Sequence, residues 1–115
     1  MNEELFNRLK AFVVDQAGVK DYEVIPEAKI EDDLGVTGDD AIDFLLAYSK
    51  TFNVDVTRFM AADYFDGEGD VILPSIIRMF TGKNKVKNKV LTVAHLVKGI
   101  LAGMLDETVI NSNLK

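Results

Sequence analysis

The stretch Asp33-Leu34-Gly35-Val36-Thr37-Gly38-Asp39-Asp40-Ala41-Ile42-Asp43 decides the fold of this chain. It joins a long connection to a helix that we expect to begin near Gly38 and Asp39 and to end near Asn53. On the side of this helix away from its aspartates, side chains recur three or four residues apart, which is the spacing of a buried helix face. They are Ile42, Leu45, Leu46, Ser49 and Phe52. The stretch therefore predicts a loop that leads into an amphipathic helix.

Three further helices are predicted. The first runs from a cap at Asn2 to a stop at Gly18, a short one covers residues 57–64 with Thr57 as its cap, and the last covers residues 92–105 with Thr92 as its cap. The inner stripe of the first helix is Leu5, Leu9, Phe12, Val13 and Ala17. The inner stripe of the last helix is Val93, Leu96, Val97, Ile100, Leu101 and Met104. This spacing predicts a mainly α fold.

We predict a non-helical connection over residues 18–37, because Pro26 cannot lie inside a helix. Its apolar side chains are expected to hold it against the core: Val19, Val24, Ile25, Ile30 and Leu34. Residues 66–90 are harder to interpret. Pro74, in the apolar run 71–80, could begin a short helix or end a strand. The alternating lysines of residues 83–89 are typical of an exposed edge segment, and could also contact an acidic partner or a phosphate backbone.

Composition limits the function classes. A chain of 115 residues fits one domain, residues 1–115. It has no cysteine, which excludes disulfides and thiol chemistry. With one histidine, His95, which we expect to be exposed, we predict no metal site and no enzyme active site. No apolar run is long enough to span a membrane, so a soluble cytoplasmic protein is expected.

The net charge of −6 is unevenly distributed. Residues 1–70 carry 17 acidic and 6 basic side chains, whereas residues 71–115 carry 2 acidic and 7 basic ones. The acidic part would repel nucleic acid and attract a basic surface of a partner protein. The oligomeric state is not indicated by the sequence.

The stretch around Gly38 resembles the Asp-Leu-Gly-x-Asp-Ser-Leu-Asp motif of acyl carrier proteins, in which the serine carries phosphopantetheine at the start of a helix. Matching pieces cover residues 16–20, 31–35, 52–56 and 91–93 in the carrier order. The resemblance spans residues 3–65 and 90–104, with an apolar and basic insert at about residues 66–90. It implies an acyl-carrier-protein-like four-helix bundle. The chain also resembles a set of bacterial proteins of unknown function, the family DUF1493, with Thr-Gly-Asp-Asp-Ala at residues 37–41.

The chain departs from the carrier motif at the residue to which phosphopantetheine is attached. The serine position falls on Gly38, and Thr37 stands where the carrier has aspartate. Glycine has no hydroxyl, so no cofactor is expected. Gly38 would then serve the backbone at the helix entry, and Thr37 would cap the helix. The alternative is an atypical carrier, modified with phosphopantetheine on Thr37 or another hydroxyl, that serves fatty-acid or secondary-metabolite synthesis.

Five aspartates are the candidate partner-binding residues: Asp32, Asp33, Asp39, Asp40 and Asp43. In carrier proteins the corresponding acidic helix docks on basic patches of partner enzymes. The resemblance therefore implies a non-catalytic, protein-binding module. The competing interpretation is a solvated helix start whose acids complement the helix dipole, which stabilises by about 0.3–1 kcal/mol each.

Overall fold

The computed structural model describes residues 3–36, 39–59 and 90–112. Within these residues the chain forms four α-helices and no strand, so the predicted mainly α class is confirmed. The helices are α1 (Glu3–Ala17), α2 (Asp39–Phe52), α3 (Val93–Ala102) and α4 (Glu107–Ile110), and a single 3-10 turn (Asp21–Glu23) follows α1. The insert, residues 66–90, lies outside the described part except for Val90.

The ends of α1 and α2 follow from local sequence. Glu3 and Glu4 lie in the first turn of α1, where carboxylates complement the positive end of the helix dipole. Gly18 follows α1 with a φ of +70°, a conformation that glycine adopts without steric cost. Asn53 follows α2 with a φ of +57°, which its short polar side chain tolerates. Both predicted ends are confirmed.

The helix predicted from Thr57 does not begin there. Thr57 and Arg58 form a turn, because the Asp55 carboxylate accepts hydrogen bonds from the Thr57 amide at 2.9 Å and from its hydroxyl at 2.7 Å. The same two hydrogen bonds lower the pKa of the Asp55 carboxyl. Residues 60–64, the rest of this prediction, lie outside the described residues.

The connection between α1 and α2 is fixed by backbone hydrogen bonds to the start of α3. The Ile30 amide donates to the Leu91 carbonyl at 2.9 Å, and the Val93 amide donates to the Ala28 carbonyl at 3.0 Å. Buried side chains hold the connection as predicted: Val24, Ile30 and Leu34. The prediction for Ile25 is wrong, since its side chain is 48% exposed. Val24 is buried in extended backbone, where successive side chains point in opposite directions.

Helix α3 begins as predicted and ends earlier. The Thr92 hydroxyl accepts a hydrogen bond from the His95 amide, so Thr92 is the N-cap. The helix stops at Ala102 because Gly103 takes a left-handed conformation and its amide bonds the Gly99 carbonyl at 2.8 Å. Leu101, assigned to the inner stripe, is 50% exposed, which corrects that assignment.

The short helix α4 was not predicted. Asp106 caps it by accepting a hydrogen bond from the Val109 amide at 2.9 Å. The Lys98 ammonium of α3 donates to the carbonyls of Ile110 at 2.9 Å and Ser112 at 2.7 Å. Lys98 thus satisfies the carbonyl groups left free at the C-terminal end of α4 and ties that helix to α3.

The core is one cluster of apolar side chains drawn from all the long elements. Within it, α2 and α3 meet where the buried Tyr48 hydroxyl donates to the Leu96 carbonyl at 2.6 Å. Burial raises the pKa of Tyr48, so this hydroxyl stays protonated. A Cβ atom at Gly99 would overlap the Tyr48 hydroxyl oxygen, so only glycine allows this approach.

Candidate functional site

The start of α2 carries two exposed carboxylates on one face. Asp40 and Asp43 are exposed and three residues apart, a spacing that puts side chains next to each other on a helix. Within the described part of the chain, neither carboxylate makes a hydrogen bond or an ion pair. These two members of the predicted set are therefore available at the surface.

Asp40 and Asp43 line a cleft of about 260 Å³ between α1 and α2. Its opposite wall is the C-terminal end of α1, and its third side is the turn that precedes α2. The lining residues are Gln16, Ala17, Gly35, Val36, Asp40, Asp43 and Phe44. The cleft therefore brings the two carboxylates of α2 and the Gln16 side-chain amide of α1 together in one depression of the surface. We call it the acidic cleft.

The turn beside the acidic cleft is set by Gly35. Its φ is +74°, and its amide donates to the Glu31 carbonyl at 3.0 Å. The next residue, Val36, is buried, and its amide donates to the Ile30 carbonyl at 3.1 Å. These contacts fix the direction in which the chain leaves the connection, and so place one side of the cleft.

Asp32 and Asp33 are exposed but do not line the acidic cleft. One Asp33 carboxylate oxygen accepts a hydrogen bond from the Lys29 amide at 2.8 Å. The Asp33 amide donates in turn to the Lys29 carbonyl at 3.0 Å. Asp33 therefore stabilises the turn at residues 29–35, and only part of its carboxylate is left for a partner.

The remaining residues of the predicted site are not settled by the structure. Asp39 begins α2, and its side chain is not described. Thr37 and Gly38 lie outside the described residues. The assignment of Gly38 to the serine position, and the weaker candidacy of Thr37 for modification, both stay predictions.

His95 was predicted to be exposed, and that prediction is wrong. It is half-buried, and its Nδ1 accepts a hydrogen bond from the Thr92 amide at 3.0 Å. Burial lowers the pKa of His95, and the nearby positive charge of Lys98 lowers it further. The neutral imidazole completes the cap of α3, so this side chain is committed to folding.

The sequence did not indicate Phe44, or the cleft residues outside α2. Phe44 lies on the helix turn that carries Asp43 and is almost fully buried. Gln16 and Ala17 belong to α1, which is separated from α2 by more than twenty residues of chain. The one available signal was the position of Ala17 on the apolar stripe of α1, which turns the end of that helix toward the core.

Two further features of the described residues bear on the predicted classes. They contain no helix long and apolar enough to cross a membrane. Within the same ranges, no group of three or more histidine, cysteine, aspartate or glutamate side chains is placed to hold a metal ion. The absence of a cofactor and of catalysis stays a prediction.

The fold and the surface define a mainly helical protein with an acidic cleft between its first two helices. The chain matches the family described as protein of unknown function, DUF1493, over residues 3–105. This protein therefore belongs to the DUF1493 family, as its resemblance around residues 37–41 predicted. No solved structure matches the chain.

Proposed function

We propose that this protein is a non-catalytic binding module with an acyl-carrier-protein-like arrangement of helices. It docks through the start of α2 on a basic surface of a partner protein and needs no prosthetic group. The observation that carries the proposal is the exposed pair of carboxylates on Asp40 and Asp43, which no described residue neutralises.

The helix dipole does not account for both carboxylates. An acidic side chain in the first turn of a helix is stabilising, but the effect falls off beyond that turn. Asp40 is the second residue of α2 and benefits from it, whereas Asp43 is the fifth residue and lies past it. Asp43 therefore supports a role in binding better than a role in helix stability.

The charge distribution supports a basic partner. Residues 1–70, which include α1 and α2, carry 17 acidic side chains against 6 basic ones, so this part of the chain contributes a negative field. Such a field accelerates the approach of a basic surface and repels other acidic proteins. Asp32 and Asp33 contribute to this field from the neighbouring turn, where both are exposed.

The carrier resemblance supports the choice of surface. The first, second and last carrier-like segments correspond to α1, α2 and α3, in that order. Acyl carrier proteins present the corresponding second helix to their enzymes, and here the residue at their serine position is Gly38. Together these features favour a protein that a partner recognises through this surface and that carries no phosphopantetheine.

The direct test is charge reversal at the proposed surface. The double variant Asp40→Lys/Asp43→Lys should lose capture of its partner from a lysate of the source cells by roughly tenfold or more, because like charges across an interface repel. The matched control is Asp21→Lys/Glu27→Lys, which changes the net charge equally at two exposed acids outside the cleft. The control should retain most of the capture.

The captured protein must also have the predicted chemistry. Zero-length carbodiimide coupling followed by mass spectrometry should join Asp40 or Asp43 to lysine amines of the partner. Equal capture by both double variants, or links that avoid α2, would contradict the proposed surface. A mass gain of one pantetheinyl group after co-expression with a phosphopantetheinyl transferase would contradict the absence of a prosthetic group.

A further inference from the structure

We draw no further inference here: the strongest candidate, the exposed apolar surface that Tyr22 and Ile25 form in and just after the 3-10 turn, carries none, because nothing among the described residues shows what covers it.

Discussion

The first turns of α2 and α3 use their polar groups in different ways. At α3, Thr92 and His95 bond each other's backbone amides, and the chain just before the helix is held by the connection. At α2, the carboxylates of Asp40 and Asp43 are exposed and make no hydrogen bond with the described residues. Exposure alone therefore does not identify a binding surface. What distinguishes α2 is that Asp40 and Asp43 have no hydrogen-bond partner among the described residues.

The same contrast extends along the two helices. Helix α3 contributes Leu96 and Gly99 to the close contact with Tyr48, and its Lys98 donates to carbonyls at the C-terminal end of α4 and just after it. Substitutions in α3 should therefore change stability, whereas substitutions of the acids of α2 should change binding and leave stability nearly unchanged.

The largest effect is expected at the contact between α2 and α3. Gly99→Ala should destabilise the protein by about 2 kcal/mol, because the added methyl group overlaps the Tyr48 hydroxyl and meets Leu105 Cδ1 at 3.2 Å. This loss outweighs the gain of about 1 kcal/mol from the better helix propensity of alanine. Urea unfolding followed by circular dichroism measures the difference.

Tyr48→Phe provides the control for that contact. Phenylalanine removes the hydroxyl, so Gly99→Ala should cost at least about 1 kcal/mol less in the Tyr48→Phe background than in the original protein. If the cost of Gly99→Ala is the same in both backgrounds, the overlap with the hydroxyl is not its cause.

An intermediate effect is expected from pH at the start of α3. The pKa of His95 is lower in the folded protein than its ordinary value of 6.5, so the neutral imidazole favours folding. This contribution is fully present above pH 6.5 and is lost as the pH falls through the folded pKa. Protonated Nδ1 can no longer accept the Thr92 amide hydrogen bond. The free energy of unfolding should therefore decrease as the pH falls below 6.5.

His95→Gln is the matched variant for this pH dependence. Glutamine at the third position of a helix can accept the hydrogen bond from the cap amide and does not titrate. His95 is the only histidine of the chain, so the variant should flatten the dependence measured by urea unfolding between about pH 5.5 and 7. An unchanged slope would mean that another group titrates there.

The smallest effect on stability is expected at the acidic cleft. Asp40→Asn/Asp43→Asn should change the free energy of unfolding by no more than about 1 kcal/mol, because the lost dipole interaction is small and concerns mainly Asp40. Thermal unfolding at low and moderate salt measures the change. A loss above about 2 kcal/mol would assign the two acids to folding and would erase the contrast with α3.

Part of this picture follows from sequence because its causes are local. The ends of α1 and α2 were predictable, since Gly18 and Asn53 adopt left-handed conformations that few other residues tolerate. The cap at Thr92 was predictable because its bond spans three residues. The outward direction of Ile25 and Leu101 was missed, since apolar periodicity does not show where a connection or a helix runs past the core.

The acidic cleft, too, was predictable from sequence only in part. The sequence placed Asp40 and Asp43 on one face of a helix, because the rise and turn of a helix fix that geometry. It did not show that the Asp33 carboxylate accepts a hydrogen bond from the Lys29 amide, nor that His95 is half-buried. Each of these depends on how a turn closes or on which elements pack against a side chain.

The sequence by itself determined the mainly helical class, the helix ends that rest on glycine, asparagine and threonine, the excess of acidic charge and the membership of the DUF1493 family. Only the tertiary structure decided that α1 supplies Gln16 and Ala17 to a cleft with the acids of α2. The physical reason is the separation along the chain of the residues that determine each feature. Caps and helix faces depend on residues a few positions apart, whereas a cleft depends on the packing of segments that the chain brings together from far apart.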